Sequence, residues 1–280
     1  MRLKNGNYFF AFVVVYIYLL IDYFMLRSAF EITFIIQMTF IFIAVSPIGE
    51  AINRLIYGGR KIITAQDKEY LTPIFTDVYK SYLEKTKRAS RRIKLYIDRS
   101  MSVNSYAIGS NTIIITRGAI ETLSPEQLKG VIAHEFGHLY NGDTLLLLIL
   151  LGSNIYLYIV NILMAIIRLI FNTCDIITGE EKVAGMIGKV LLWVCSLIAV
   201  PTVLFIRLVL SVIQRDSEYN ADKYAYKFGY GENLISVLYK LDKLDFSDGK
   251  MNLYERLMKK HPDIDKRIER LESFSKEKIT

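Results

Sequence analysis

The sequence predicts a mainly helical membrane protein, with four candidate transmembrane helices and an α+β domain that carries a small sheet. Three observations predict it. The 280-residue chain is 52% hydrophobic and its mean hydropathy is +0.28, on the apolar side of what a water-soluble domain of this size averages. The excess is gathered into four charge-poor segments. The polar stretches around them show strand alternation and a helix start. An aromatic content of 12% excludes disorder. Two cysteines, Cys174 and Cys195, exclude a disulfide framework or a cysteine-rich metal cluster, and read as a loop thiol and a packed span residue.

The apolar segments come in two pairs. Tyr8–Leu26 is apolar apart from Asp22, and Ile32–Gly49 is 18 residues without a charge. Thr144–Ile167 and Val190–Ile206 hold 24 and 17 uncharged residues. A spanning helix needs about 20 apolar residues, with a range of about 17–25. Met1–Leu26 resembles a signal peptide, but no small-x-small cleavage site follows, so it reads as an uncleaved anchor. The second pair also fits buried core helices, because Arg168 and Arg207 lie at its ends and Pro201 interrupts it. These segments divide the chain into a transmembrane hairpin (1–49), a polar block (50–143), a second apolar pair (144–213) and a second polar block (214–280). The Asp22–Glu31 turn and the Asn172–Lys189 loop are each net acidic, whereas the N-terminus and both polar blocks are net basic. The positive-inside rule then puts both termini and both polar blocks on the cytoplasmic side of a lipid bilayer.

The first polar block opens with a juxtamembrane helix that ends at Tyr57-Gly58-Gly59, followed by a helix around Lys68–Lys87. Ile93, Leu95 and Ile97 alternate with Lys94, Tyr96 and Asp98, which predicts a strand. Asn111–Thr116 predicts a second, with turn residues between them. Six basic residues fall within Lys85–Lys94, a solvated or lipid-facing surface. No recognition fold accompanies them, so no nucleic acid partner is expected. Ser124-Pro125-Glu126-Gln127 is a helix start, with Ser as cap, Pro at the first position and Gln three residues after the cap.

That helix carries His134-Glu135-Phe136-Gly137-His138. Positions i and i+4 share one helix face, so both imidazoles can reach one metal ion, and Glu135 is placed to accept a proton from water. At this composition chance predicts about 0.002 occurrences of the pattern. The domain is therefore expected to be a zincin-like catalytic domain. A catalytic zinc site takes three protein ligands and one open position. His261 and the carboxylates Glu218 and Asp222, at i and i+4 on a later helix, are all candidates for the third.

Asn104-Ser105-Tyr106-Ala107-Ile108-Gly109, Ser124–Leu128, Val131–His138 with Asn141-Gly142-Asp143, and Glu218-Tyr219-Asn220-Ala221-Asp222 occur in that order. His261-Pro262 with Arg267-Ile268 and Leu271 follows. Together they resemble the HtpX group of membrane zinc metalloproteases, relatives of the CAAX prenyl proteases. The resemblance implies Zn2+ held by His134, His138 and Glu218, with Glu135 as the base. It implies that Asn104, Ser105, Tyr106 and Ala107 form an edge strand along which a polypeptide substrate lies. His261 is a candidate for holding the oxyanion or for a structural turn. Arg215, Asp222 and Arg267 read as residues that orient ligands or pair helices, and Asp143 as a further orienting group or a helix end. The expected activity is cytoplasmic-side cleavage of unfolded or membrane proteins. Processing of lipidated peptides and a non-catalytic scaffold with a vestigial metal site are the alternatives.

Overall fold

The structure, a computed structural model, describes residues 30–87, 92–153, 214–244 and 263–277, with isolated helical positions at 12–23, 166 and 211. Most of Tyr8–Leu26, the end of Thr144–Ile167, all of Val190–Ile206, Arg88, Arg91 and His261 lie outside the described residues.

The expected span over Ile32–Gly49 is two helices rather than one. Helix α1 (Phe30–Val45) stops where Ser46 caps α2 (Pro47–Ile56), and the two axes bend by 71°. The cause is local. The Ser46 hydroxyl accepts from the Gly49 amide, and Pro47 has no N–H with which to continue α1. Among the described residues no single helix is long and apolar enough to cross a membrane, though the bent pair holds enough apolar length together.

After the Tyr57–Gly59 turn come β1 (Arg60–Lys61) and α3 (Ala65–Thr86), capped by Thr64. Then β2 (Lys94–Asp98), β3 (Ser105–Ile108) and β4 (Thr112–Thr116) complete a sheet ordered β1-β2-β4-β3. The pairing of β2 with β4 is parallel and the other two are antiparallel. Every residue of β4 is buried, as expected of a central strand covered on both faces. Ile113 and Ile115 enter the main core, while Ile114 joins Tyr96 and Ile108 on the other face. Strand β2 matches the alternation of Ile93–Asp98, and β4 the second strand expected over Asn111–Thr116. The two-residue β1 is too short to show a period.

The helices that follow are α4 (Arg117–Thr122), α5 (Pro125–Asn141), α6 (Asp143–Ser153), α7 (214–227), α8 (Gly231–Leu244) and α9 (Ile264–Glu277). The core lies between β4, α3, α5 and α8, filled by Leu71, Val78, Leu128, Ile132, Phe136 and Leu238. The described residues are thus mostly helical, with a small mixed sheet.

Arg117 at the start of α4 forms a two-pronged pair with Asp67 in the first turn of α3, both bonds 2.8 Å. These bonds from Arg117 hold the Asp67 carboxyl at about 2, below its ordinary 3.8. A carboxyl depressed in the folded state stabilises above its unfolded pKa, and that contribution fades as pH falls toward the folded value. Asp67→Asn should therefore lower the melting temperature at neutral pH, by the equivalent of about 1–2 kcal/mol. The deficit should shrink as pH drops from 3.8 toward 2. Thermal melts of both proteins across that range check it.

Candidate metal centre

Helix α5 is fixed at both ends before it presents any side chain. Ser124 accepts from the Gln127 amide and Gln127 accepts from the Ser124 amide, the reciprocal box expected from the sequence. Asn233 of α8 donates to the Glu126 carbonyl at 2.9 Å. At the far end Gly142 takes a left-handed conformation, with φ of 78°, and closes the helix. Phe136 faces the core against Phe75, Tyr79 and Tyr82. His134 and His138 therefore face away from it.

The two imidazoles stand edge to face and bring their Nε2 atoms to 3.1 Å. Helix α7 supplies Glu218, whose Oε2 lies 3.4 Å from Nε2 of His134 and whose Oε1 lies 3.6 Å from Nε2 of His138. Gly137 makes this approach possible. A Cβ there would sit 2.8 Å from both Cα and O of Ala221, so any side chain would push α7 and Glu218 away.

Carboxylates occupy the other side of each ring. Asp222 Oδ1 is 2.9 Å from Nδ1 of His134, and Asp143 Oδ2 is 3.3 Å from Nδ1 of His138. A carboxylate only accepts, so each Nδ1 carries a proton, and in the neutral imidazole that a metal binds each Nε2 directs its lone pair inward. Arg267 on α9 grips Asp222 with bonds of 2.8 and 2.7 Å and reaches Glu218 Oε2 at 3.4 Å. All these side chains are nearly or fully buried. Burial works against a charged imidazole, but the bonds to Asp222 and Glu218 outweigh it for His134. Asp143 and Glu218 do the same for His138, so both pKa values are raised. Burial likewise opposes charge on Asp222, and Arg267 overrides it, holding the carboxyl low.

Two imidazole lone pairs and a carboxylate converging at 3.1–3.6 Å fit a divalent cation. Ligand atoms about 2.0–2.1 Å from a tetrahedral zinc stand roughly 3.3 Å apart. Charge agrees. Four buried carboxylates, Glu135, Asp143, Glu218 and Asp222, line the site, and Arg267, beside Glu218 and Asp222, is the one permanent cation among these buried groups. His134, His138 and Glu218 are the group the structure brings together for a metal.

Glu135 faces β3. Its Oε1 accepts from the Ser105 hydroxyl at 2.5 Å. Strand β3 pairs only with β4 among the described residues, so its other side is an open edge. The Thr116 amide donates to the Asn104 carbonyl at 3.1 Å. Antiparallel alternation then turns the backbone of Ser105 and Ala107 outward and that of Tyr106 toward β4. The Asn104 side chain accepts from the Ser105 amide at 2.8 Å and donates to the Tyr106 hydroxyl at 3.1 Å.

The sequence-derived candidates thus divide. His134, Glu135, His138, Asp143, Glu218, Asp222 and Arg267 meet in one place, and Ser105 joins them through Glu135. Asn104 lies just before Ser105, and Tyr106 and Ala107 follow it on β3, with the Tyr106 ring on the opposite face of the sheet. Arg215 does not join them among the described residues; its guanidinium bonds the Ser211 carbonyl and hydroxyl one turn earlier. Sequence reasoning missed Ser217, whose hydroxyl is 3.2 Å from Nδ1 of His138. No spacing signals a lone Ser beside a ligand.

Residues 69–275 match the profile of peptidase family M48, a stretch that includes every site residue just named. This chain belongs to peptidase family M48. The protease HtpX homolog of Syntrophobacter fumaroxidans is 28% identical over 208 residues, 65% of this chain and 70% of that protein. The homolog of Bacteroides fragilis is 30% identical over 210 residues, 65% of this chain and 63% of its own length. Protease HtpX of Yersinia pestis is 25% identical over 219 residues, covering 68% and 72%. In fold the chain is similar to S. mikatae Ste24p, with a TM-score of 0.55 at 20% identity. That likeness covers 92% of this chain and 62% of the Ste24p chain.

Proposed function

We propose that this M48 chain is an integral-membrane, zinc-dependent endopeptidase that hydrolyses polypeptides on the cytoplasmic side of a bilayer. Its role is the turnover of misfolded or damaged membrane proteins. The observation that carries the reading is the convergence of His134, His138 and Glu218 beside a buried Glu135 that touches an open strand edge. Membership of M48 favours zinc for this donor set, which other divalent ions also suit.

Membrane insertion is supported by α1, whose burial is inverted. Its buried positions are Thr33, Gln37 and Ala44, while Ile32, Ile35 and Phe42 are exposed. Large apolar residues outside and small or polar ones inside suit a helix whose solvent is lipid. Gly152 of α6 meets α1 at Ile41 and Ala44, too close for any side chain. The cytoplasmic orientation rests on the distribution of Lys and Arg.

The side chains divide the work. His134, His138 and Glu218 would hold the metal, which supplies Lewis acidity at the scissile carbonyl and lowers the pKa of a water toward about 7. Glu135 takes the proton of the attacking water and passes it to the leaving amine. Asp222 and Asp143 keep the imidazoles in the ligating tautomer. The outward backbone of Ala107 and the Ser105 carbonyl pair with an extended substrate, which displaces the Asn104 side chain if it also uses the Ser105 amide.

Ser105 holds the base in place. Ser105→Ala should lower kcat about tenfold with little change in KM, because one hydrogen bond to a charged group is lost. Ser105→Thr keeps the hydroxyl and should recover most of the rate. Steady-state kinetics on an unfolded protein check both. Substrate class is tested by offering purified enzyme casein and a farnesylated peptide in parallel. Cleavage of casein supports the proposal. Cleavage of the farnesylated peptide alone would favour lipopeptide processing.

A further inference from the structure

Helix α2 has two faces that do different things. Its inner face is bonded to the sheet beside the metal centre. Glu50 accepts from the Ser110 and Asn111 amides, each at 3.2 Å, and from the Thr112 hydroxyl at 2.6 Å, so one carboxylate clamps the β3–β4 turn. Arg54 lies over the Tyr96 ring at 4.5 Å, and Tyr57 packs against Tyr106 of the edge strand at 5.4 Å. The outer face is apolar and open. Ile48, Ile52, Leu55 and Ile56 are 65%, 47%, 67% and 73% exposed. Their spacing of i, i+4, i+7 and i+8 places them on one stripe of the helix.

We infer that α2 lies in the plane of the membrane surface with Ile48, Ile52, Leu55 and Ile56 in the boundary between headgroups and acyl chains, and so fixes the edge strand β3 at the height of the lipid surface. The inference rests on the membrane reading above. Lipid is the occupant that the surroundings favour. The helix follows directly on α1, whose outward face is apolar apart from Glu31 in its first turn and Thr39, and turns from it by 71°. Exposed Arg60 and Lys61 come straight after it, where cationic side chains meet headgroup phosphates. A ten-residue helix with one apolar stripe and a polar opposite face suits an interfacial position, with the stripe sunk about 5–10 Å. The consequence is functional. Glu50 ties that helix to the β3–β4 turn and Tyr57 packs on Tyr106 of β3, so a substrate segment emerging from the bilayer meets the edge strand and Glu135 without unfolding far into water.

The test is a depth measurement on the full chain. Single cysteines replace Ile35, Ile52, Ile56 or Lys61 in a Cys174→Ser, Cys195→Ser background, and each is labelled with the fluorophore NBD. The proteins are reconstituted in phosphatidylcholine–phosphatidylglycerol vesicles with bromines either near the top or near the end of the acyl chains. Unchanged metal content in each variant confirms that the fold is kept. The expected result is that the labels at 52 and 56 lose most of their emission to shallow bromines. The label at 35 loses it to deep bromines, and the label at 61 loses little to either. Deep quenching at 52 and 56 equal to that at 35 would overturn the inference in favour of a broken span. No quenching at 52 and 56, with 35 still quenched, would overturn it while leaving the membrane reading intact. No quenching at any position would overturn both.

Discussion

Glu135→Gln should cut peptide hydrolysis by orders of magnitude while leaving the metal bound. Gln matches Glu in shape, and its side-chain oxygen still accepts from the Ser105 hydroxyl, so the residue should stay where the structure places it. What it loses is the capacity to take a proton from water. General-base catalysis contributes about 10²–10⁴-fold, and kcat should fall by that much with KM nearly unchanged. Glu135 lies outside the donor set of His134, His138 and Glu218, so zinc per chain should match the wild type. Casein digestion and elemental analysis of the same preparation measure both quantities. Wild-type cleavage by the variant would remove Glu135 from the chemistry.

The second large effect is expected at Asp222, which lies outside the donor set of His134, His138 and Glu218. Its carboxylate accepts from His134 and is gripped by two bonds from Arg267. Asp222→Ala frees the His134 ring to turn, and loss of such an outer partner costs about 10–100-fold in metal affinity. Among the described residues it also leaves the buried Arg267 cation with a 3.4 Å contact to Glu218 and a 3.5 Å approach to Nδ1 of His134. Stranding a buried charge costs about 3–5 kcal/mol, and the contact to Glu218 puts the expected loss at the lower end. The two consequences separate in the double variant Asp222→Ala, Arg267→Met. Removing the stranded cation should restore much of the melting temperature but not the zinc affinity, because His134 still lacks its carboxylate. Recovery of both would mean that Asp222 acts only by neutralising Arg267.

Much of this site was legible in the sequence, and the reasons are physical. Ser124, Pro125 and Gln127 announce a helix start because orphan amides there need partners. The spacing of His134 and His138 is the helix period itself. Strands β2 and β4 were legible because one face of each alternates or runs apolar. Glu218 was less so. Spacing alone left it level with Asp222 and His261, and its place emerged from resemblance, then from the geometry of α5 against α7. The bend at Ser46-Pro47 was hidden inside an uncharged run, since hydropathy counts apolar residues and does not see a cap. The clamp from Glu50 to Ser110, Asn111 and Thr112 crosses some sixty residues of chain, and no local pattern encodes such a contact. The Ser105 hydroxyl on Glu135 joins a strand to a helix in the same long-range way.

The donor set itself is the centre of the proposal, and zinc X-ray absorption of the detergent-purified wild-type chain reads it directly. A four-coordinate nitrogen and oxygen shell with scattering from two imidazoles is expected, supplied by His134 and His138 with Glu218 as the third protein ligand. A third imidazole would put His261 in the place of Glu218, and a sulfur scatterer would bring in Cys174 or Cys195. Either result would contradict the site described.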